Sequence, residues 1–210
     1  MIDIDIVSDP VCPWCFIGKR RLERALAERS EDFKVHWRPF QLNPEMPATG
    51  MSRENYLALK FGGPERAQKI YDSVARAGES EQIDFRFDDI KVQPNTFDAH
   101  RLIRWSGSAG VQDAVVEELF TRYFFKGRNI GDRTELLDVA KTAGMDGDLV
   151  EDLLARDADR QLIENEERQA RQAGISGVPC FIVAGRYAVS GAQDPSVLSN
   201  VFDLALQEAA

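Results

Sequence analysis

The sequence predicts an α/β fold interrupted once by a long helical block. Three observations carry this reading. A short alternating run, Ile2–Val7, leads through Ser8-Asp9-Pro10 into Cys12-Pro13-Trp14-Cys15 and then into a stretch of helical periodicity. From about Ser52 to Gly174 nearly everything has helical spacing, and after Gly174 strand and turn chemistry returns. The expected order is βαβ, a block of about 120 residues of helix, then ββα.

Taken in order, Ile2–Val7 alternates apolar and polar residues and is the first strand. Phe16, Leu22, Ala25 and Leu26 then recur at roughly helical spacing with charges between them. Pro13 fits the first helical position, where its missing N–H and fixed φ cost nothing. Phe33–Phe40 is a second alternating strand, and a parallel pair with a right-handed crossover completes the βαβ unit. His36 lies on its polar side. A solvated or hydrogen-bonded histidine is the first reading, and a place near the site is the alternative.

A connector with two prolines and a glycine, 41–50, opens the helical block. Ser52 can cap a helix over 53–61, stopped by Gly62-Gly63, and Pro64 opens the next, ending at Gly78. Residues 83–92 read as polar and either irregular or extended. Asn95 or Thr96 can cap a helix through Trp105, and 111–125 is amphipathic. Asp132-x-x-Glu135 suggests a capping box before a helix ended by Gly144, and 148–173 reads as one or two further helices. Strand chemistry resumes over 175–184, Gly185-Arg186 turns, and Tyr187–Ser190 returns as a hairpin. Asp194 caps a last helix with Pro195 as its first residue. The expected units are therefore 1–43 plus 174–210, with 44–173 inserted as a helical domain.

The Cys-x-x-Cys pair lies where a strand ends and a helix begins. Unpaired N–H groups and the positive dipole end favour a thiolate there. Such thiols have pKa values lowered to about 3.5–7. Spacing of three residues brings both sulfurs to one face of the first turn, close enough to form a disulfide. Cys12, expected to be the more exposed, is the candidate attacking thiol, and Cys15 the resolving thiol. Half a zinc site is the alternative, but it needs a second ligand pair. Cys180, His36 and His100 supply none at ligand spacing, so no metal is expected.

At 210 residues the chain is long enough to bury a sizeable core, and 43% apolar with 29% charged residues describes a soluble globular protein. No apolar run reaches the roughly 18 residues of a membrane span. The acidic N-terminus has no basic region followed by an apolar core, so a cytoplasmic location is expected. A net charge of −9 argues against nucleic acid or an anionic membrane as partner. Three cysteines make no secretory framework, and in a reducing compartment a CxxC is expected to be catalytic or redox-sensing.

The strand–CPWC–helix segment and the distant Gly177-Val178-Pro179 before a hairpin resemble the thioredoxin superfamily, and the intervening helices resemble its DsbA-like branch. Ser8–Arg20, Pro39–Pro47, Asn95–Leu102 and Ser190–Gln193 look like the FrnE-type subgroup, related to 2-hydroxychromene-2-carboxylate isomerases. The resemblance covers essentially the whole chain. It implies a thioredoxin-like fold with a large helical insertion, and a cis peptide before Pro179 packed against the CxxC. It also implies that the Val178 backbone pairs with an extended substrate beside Cys12. There are departures. Thioredoxins usually carry a buried acid about six residues before the first cysteine, where this chain has Ile6. Asp9 is a substitute for proton handling or simply a turn residue. Cys180 stands where Thr or an aromatic residue is usual, either as a small buried hydrophobe or as a third active-site thiol. His100 is either a core or surface histidine or part of the site, and Trp14 and Phe16 are either substrate rim or packing.

Three functions follow from the resemblance. The first is a thiol–disulfide oxidoreductase acting on protein or low-molecular-weight disulfides. The second is a glutathione-dependent isomerase or transferase, although such relatives tend to carry Ser at the nucleophile position. The third is a redox-regulated chaperone. No bound cofactor is expected. Glutathione as co-substrate fits the first two, with its carboxylate at the helix start Gln193-Asp194. Substrate identity and oligomeric state are not legible.

Overall fold

The computed structural model describes residues 1–156 and 158–209. Its main sheet has the order β2-β1-β5-β6, with β1 at Ile2–Ser8, β2 at Phe33–Pro39, β5 at Cys180–Val183 and β6 at Tyr187–Ser190. β1 and β2 are parallel, in a register that sets Ile4 beside Val35 and Ile6 beside Trp37. β5 lies antiparallel to β1, pairing Ile6 with Phe181 and Val7 with Cys180, and β6 closes the hairpin. The crossover between β1 and β2 is helix α1, Pro13–Ala27. Helix α9, Pro195–Ala209, packs beside it.

Among the described residues, the helices between β2 and β5 are α2 (Arg53–Phe61), α3 (Pro64–Glu79), α4 (Phe97–Ser108), α5 (Gln112–Lys126), α6 (Arg133–Thr142), α7 (Gly147–Ala155) and α8 (Arg160–Gln172). Their boundaries follow local chemistry. Ser52 accepts the Asn55 N–H, Gly62 ends α2 at φ 75°, and Pro64 opens α3. Asn95, rather than Thr96, caps α4 by accepting the Phe97 N–H at 2.9 Å. Asp132 accepts the N–H groups of Thr134 and Glu135. Glu135 does not complete the expected box, because its carboxylate is held by Arg122 at 2.7 Å.

Two regions differ from the sequence reading. Residues 83–92 contain a 3₁₀ turn at Phe87–Asp89, after which β4 (Val92–Gln93) pairs with β3 (Met51–Ser52) in a two-stranded ribbon. The strand expected over 175–184 starts only at Cys180. Pro179 has no N–H to give to a ladder.

One apolar cluster runs without a break from Ile4, Ile6 and Phe181 through Phe16 to Leu119, Phe120 and Phe124, so sheet and helical block share a core. Phe16 is its junction: its ring stacks on Phe120 at 4.9 Å and meets Phe85, Phe124 and Phe125 within 6.2 Å. Aromatic pairs of this kind contribute roughly 0.5–1.5 kcal/mol beyond area burial. A second cluster of Val7, Phe40 and Cys180 lies on the opposite face of the sheet, with Ala170 and Ile175 against it. The exposed edge of β2 is closed by a side chain. The Gln112 amide accepts the Trp37 N–H at 2.9 Å and donates to the Trp37 carbonyl at 3.3 Å, replacing a neighbouring strand.

Candidate active site

Cys12 is the N-cap residue of α1, in an extended conformation, and Pro13 is the first helical residue. The Cys15 and Phe16 N–H groups both reach the Cys12 carbonyl, so the first turn closes with both sulfurs on one side. Both cysteines carry free thiols. Neither is exposed: Cys12 retains 4% of its accessible surface and Cys15 1%, so the expected contrast in exposure is small. Trp14, between them, is the exposed member at 37%, and Phe16 is wholly core.

Burial pushes the Cys15 thiol well above its ordinary range, and a hydrogen bond to Cys12 together with the charge there pushes it further. The Ser8 hydroxyl and the Asp9 N–H act in the opposite sense by donating to its sulfur. The net direction keeps the proton on Cys15.

The peptide between Val178 and Pro179 is cis, and the Val178 carbonyl oxygen lies 3.7 Å from the Cys12 sulfur. Gly18 lets α1 approach this loop, since a Cβ there would meet Pro179 Cγ at 3.0 Å and the Phe181 ring at 3.1 Å. Gly191, just past β6, donates its N–H to the Pro179 carbonyl at 2.8 Å across the hairpin.

The helical block faces this centre through Tyr56 and Tyr71, both of which feel the charge at Cys12. Burial raises both phenols, that of Tyr71 to about 12. Arg53 lies 5.3 Å from the Tyr56 ring and 5.1 Å from that of Tyr71, and it donates to the Tyr71 hydroxyl at 2.7 Å. Nothing in the sequence spacing marks Arg53, because its partners come from α3, β4 and α5.

The remaining candidates divide. Asp9 and His100 come together behind the dithiol, both fully buried, with Asp9 Oδ1 3.7 Å from His100 Nε2. His36 does not join them: it pairs with Asp3 at 3.0 Å, from β2 to β1. Cys180 is not brought to the dithiol either, since it alternates with Phe181 and faces Val7 and Phe40 on the other side of the sheet. Gln193 turns back to the Ser190 carbonyl at 2.8 Å. Asp194 occupies the start of α9, accepting the Ser196 N–H at 3.0 Å and its hydroxyl at 2.8 Å, which hold its carboxyl below the usual range. An arriving carboxylate would compete with Asp194 for that N–H. No group of three or more potential ligands able to hold a metal ion occurs among the described residues. No helix among them is long and apolar enough to cross a membrane.

Fold and site together define a thioredoxin-fold protein with a dithiol at the start of its first helix and a cis-proline loop facing it. Residues 3–203 match the family model of the DSBA-like thioredoxin domain, and the chain belongs to that family. A Streptomyces coelicolor protein described as a probable DsbA oxidoreductase, SCO1869, superposes with a TM-score of 0.90 at 31% identity, over 99% of this chain and 91% of that one. The uncharacterized protein YwbO of Bacillus subtilis (strain 168) is 26% identical over 203 residues, 95% of this chain and 94% of its own. The cytosolic disulfide reductase DsbM from Pseudomonas aeruginosa, solved with GSH, shares the fold with a TM-score of 0.62 at 16% identity, over 98% of this chain and 99% of that one.

Proposed function

We propose that this chain is a thiol–disulfide oxidoreductase, with Cys12 as nucleophile and Cys15 as resolving thiol. The observation that carries the reading is the geometry of the dithiol: Cys12 is the N-cap residue of α1 and faces the Val178 carbonyl at 3.7 Å, with Cys15 in the first turn behind it. Attack by the Cys12 thiolate on a disulfide RS–SR′ forms a Cys12–SR bond and expels R′S⁻. Deprotonated Cys15 then attacks the Cys12 sulfur, closing the Cys12–Cys15 disulfide and expelling RS⁻, so the protein is oxidised by two electrons as the substrate is reduced. The reverse sequence oxidises a dithiol substrate. Protein disulfides or low-molecular-weight disulfides are the substrate class, and glutathione is the proposed co-substrate, in a reducing, cytoplasmic setting. The presence of both thiols favours this reading over a glutathione-dependent isomerase, which has no use for Cys15.

The test is equilibration with glutathione redox buffers, mass-tag trapping of free thiols, and peptide mapping. The expected product is a Cys12–Cys15 disulfide with Cys180 free. A potential above the cytosolic poise of roughly −220 to −320 mV would make the protein an oxidant or isomerase. Absence of any Cys12–Cys15 disulfide would defeat the reading.

A further inference from the structure

Resolution by Cys15 needs somewhere for its proton to go. The position just before the dithiol's strand end, where a buried acid is expected, holds Ile6 at 1% exposure, an apolar core residue. The structure brings a different acid to the centre. Asp9 is wholly buried between β1 and α1; its N–H donates to the Cys15 sulfur and its carbonyl accepts the Cys12 N–H at 2.9 Å. Its Oδ2 is committed to the Leu42 N–H at 2.7 Å. Its Oδ1 has no hydrogen-bond partner and faces His100 Nε2, equally without one, at 3.7 Å. Two buried, mutually facing polar atoms without hydrogen bonds leave their desolvation uncompensated. Such an arrangement persists where protonation changes give it a use.

His100 also lines a cavity of about 570 Å³ between β2 and α4, giving the pair a way to exchange protons with the outside. The titratable neighbours on the dithiol side are Cys12, Cys15, Tyr56 and Tyr123, the two phenols both feeling the Asp9 charge. On the cavity side, acids and bases are otherwise engaged: Asp113 with Lys19, Glu166 with Arg104, Asp159 with Trp105, and Arg38 and His36 with Asp5 and Asp3. Lys34 also lines the cavity, but as an exposed ammonium it cannot accept a proton. Among the described residues, Asp9 is thus the carboxylate that faces His100.

We infer that Asp9 and His100 form a buried proton-holding pair that accepts the Cys15 proton as Cys15 attacks the Cys12 mixed disulfide, and returns it when the Cys12–Cys15 disulfide is reduced. The inference rests on the oxidoreductase reading. In the forward step the Cys15 S–H bond breaks, its proton passes to the pair, its electron pair forms the bond to Cys12 Sγ, and RS⁻ leaves. Asp9 and His100 are positioning residues for Cys15, whose sulfur is the reacting atom.

The experiment separates the two steps with glutathione disulfide as the probe. The full-length protein and its Asp9→Asn and His100→Gln variants are mixed with it, and the Cys12–glutathione adduct and its conversion to the Cys12–Cys15 disulfide are followed by mass. The asparagine keeps an acceptor for the Leu42 N–H. Adduct formation is expected to match wild type within about twofold. Resolution is expected to slow by about 10²-fold near pH 6, the scale of general acid–base catalysis, with the deficit shrinking as pH rises and hydroxide takes the proton. Resolution equal to wild type at every pH, or a deficit independent of pH, overturns the inference while leaving the oxidoreductase reading intact. A wild-type protein that forms no adduct, or never resolves it, overturns both. Should the variants not fold, NMR of the His100 ring in wild-type dithiol and disulfide forms decides. A change of protonation or tautomer upholds the pair, and identical spectra overturn it.

Discussion

The Cys12 sulfur lies 3.7 Å from the carbonyl oxygen of Val178, a residue 166 positions away in the chain. The contact exists because α1 can press against the Pro179 loop at Gly18, where a methyl group would meet Pro179 Cγ at 3.0 Å and the Phe181 ring at 3.1 Å. Gly18→Ala is therefore expected to push α1 and loop apart. Overpacking costs about 1–3 kcal/mol and is offset in part by the roughly 1 kcal/mol that alanine gains in a helix. A net loss of about 1 kcal/mol in urea unfolding, with slower disulfide exchange, is the expected outcome. A variant as stable and as fast as wild type would show that the loop yields freely.

The Cys15 thiol has a second consequence, for stability. Its pKa is raised by burial and by Cys12, so the folded dithiol form holds this proton more tightly than the unfolded chain. The stabilisation is fully present below the unfolded thiol pKa of about 8.5 and is lost as pH rises from there through the folded value. The reduced protein's melting temperature should fall above about pH 8.5, and Cys15→Ala should flatten that fall. Parallel profiles for both proteins would contradict it.

Arg101 is wholly buried. It donates to the carbonyls of Leu153, Arg156 and Ala158 at 2.6–2.8 Å and to Asp98 at 2.7 Å, tying α4 to the passage between α7 and α8. Arg101→Ala leaves three carbonyls without this donor and Asp98 with Arg133 alone at 3.2 Å, a loss of about 3 kcal/mol or more. Arg101→Lys recovers only part of it, because an ammonium cannot reproduce the guanidinium fork. Denaturant unfolding of the three proteins should rank them in that order.

Gln112 substitutes for a strand along the edge of β2. Gln112→Ala is expected to cost about 1–3 kcal/mol through the unpaired Trp37 peptide groups. It should also speed hydrogen exchange at the Trp37 amide without changing that of Ile6 in the centre of the sheet. Exchange at Trp37 that stays slow would show that another group covers the edge.

How far the sequence reached depended on the range of the interaction. Alternation in β1 and β2, the capping Ser52 and Asp132, and the prolines at positions 64 and 195 act within a few residues, and each element they imply is present. The ribbon of β3 and β4 has two residues per strand and no period to read. The break between α7 and α8 falls where Asp159 adopts φ 57°, a conformation that no glycine announces. The candidate site follows the same division. The dithiol at the start of α1 is a local pattern. The meeting of Asp9 with His100 is made by packing α4 against β2, and Asp9 alone has the composition of a turn. The sequence signal for His100 was its place in the Asn95–Leu102 segment that resembles the FrnE-type subgroup. Cys180 was ambiguous because strand parity about Pro179 decides which face of the sheet it joins.

That parity fixes the stoichiometry of oxidation. With Cys180 shielded behind the sheet among Val7 and Phe40, an odd set of thiols behaves as an even one. On the oxidoreductase reading proposed above, oxidant would remove two reducing equivalents per chain by closing a ring across Pro13 and Trp14, and Cys180 would not be left facing solvent to link one molecule to another.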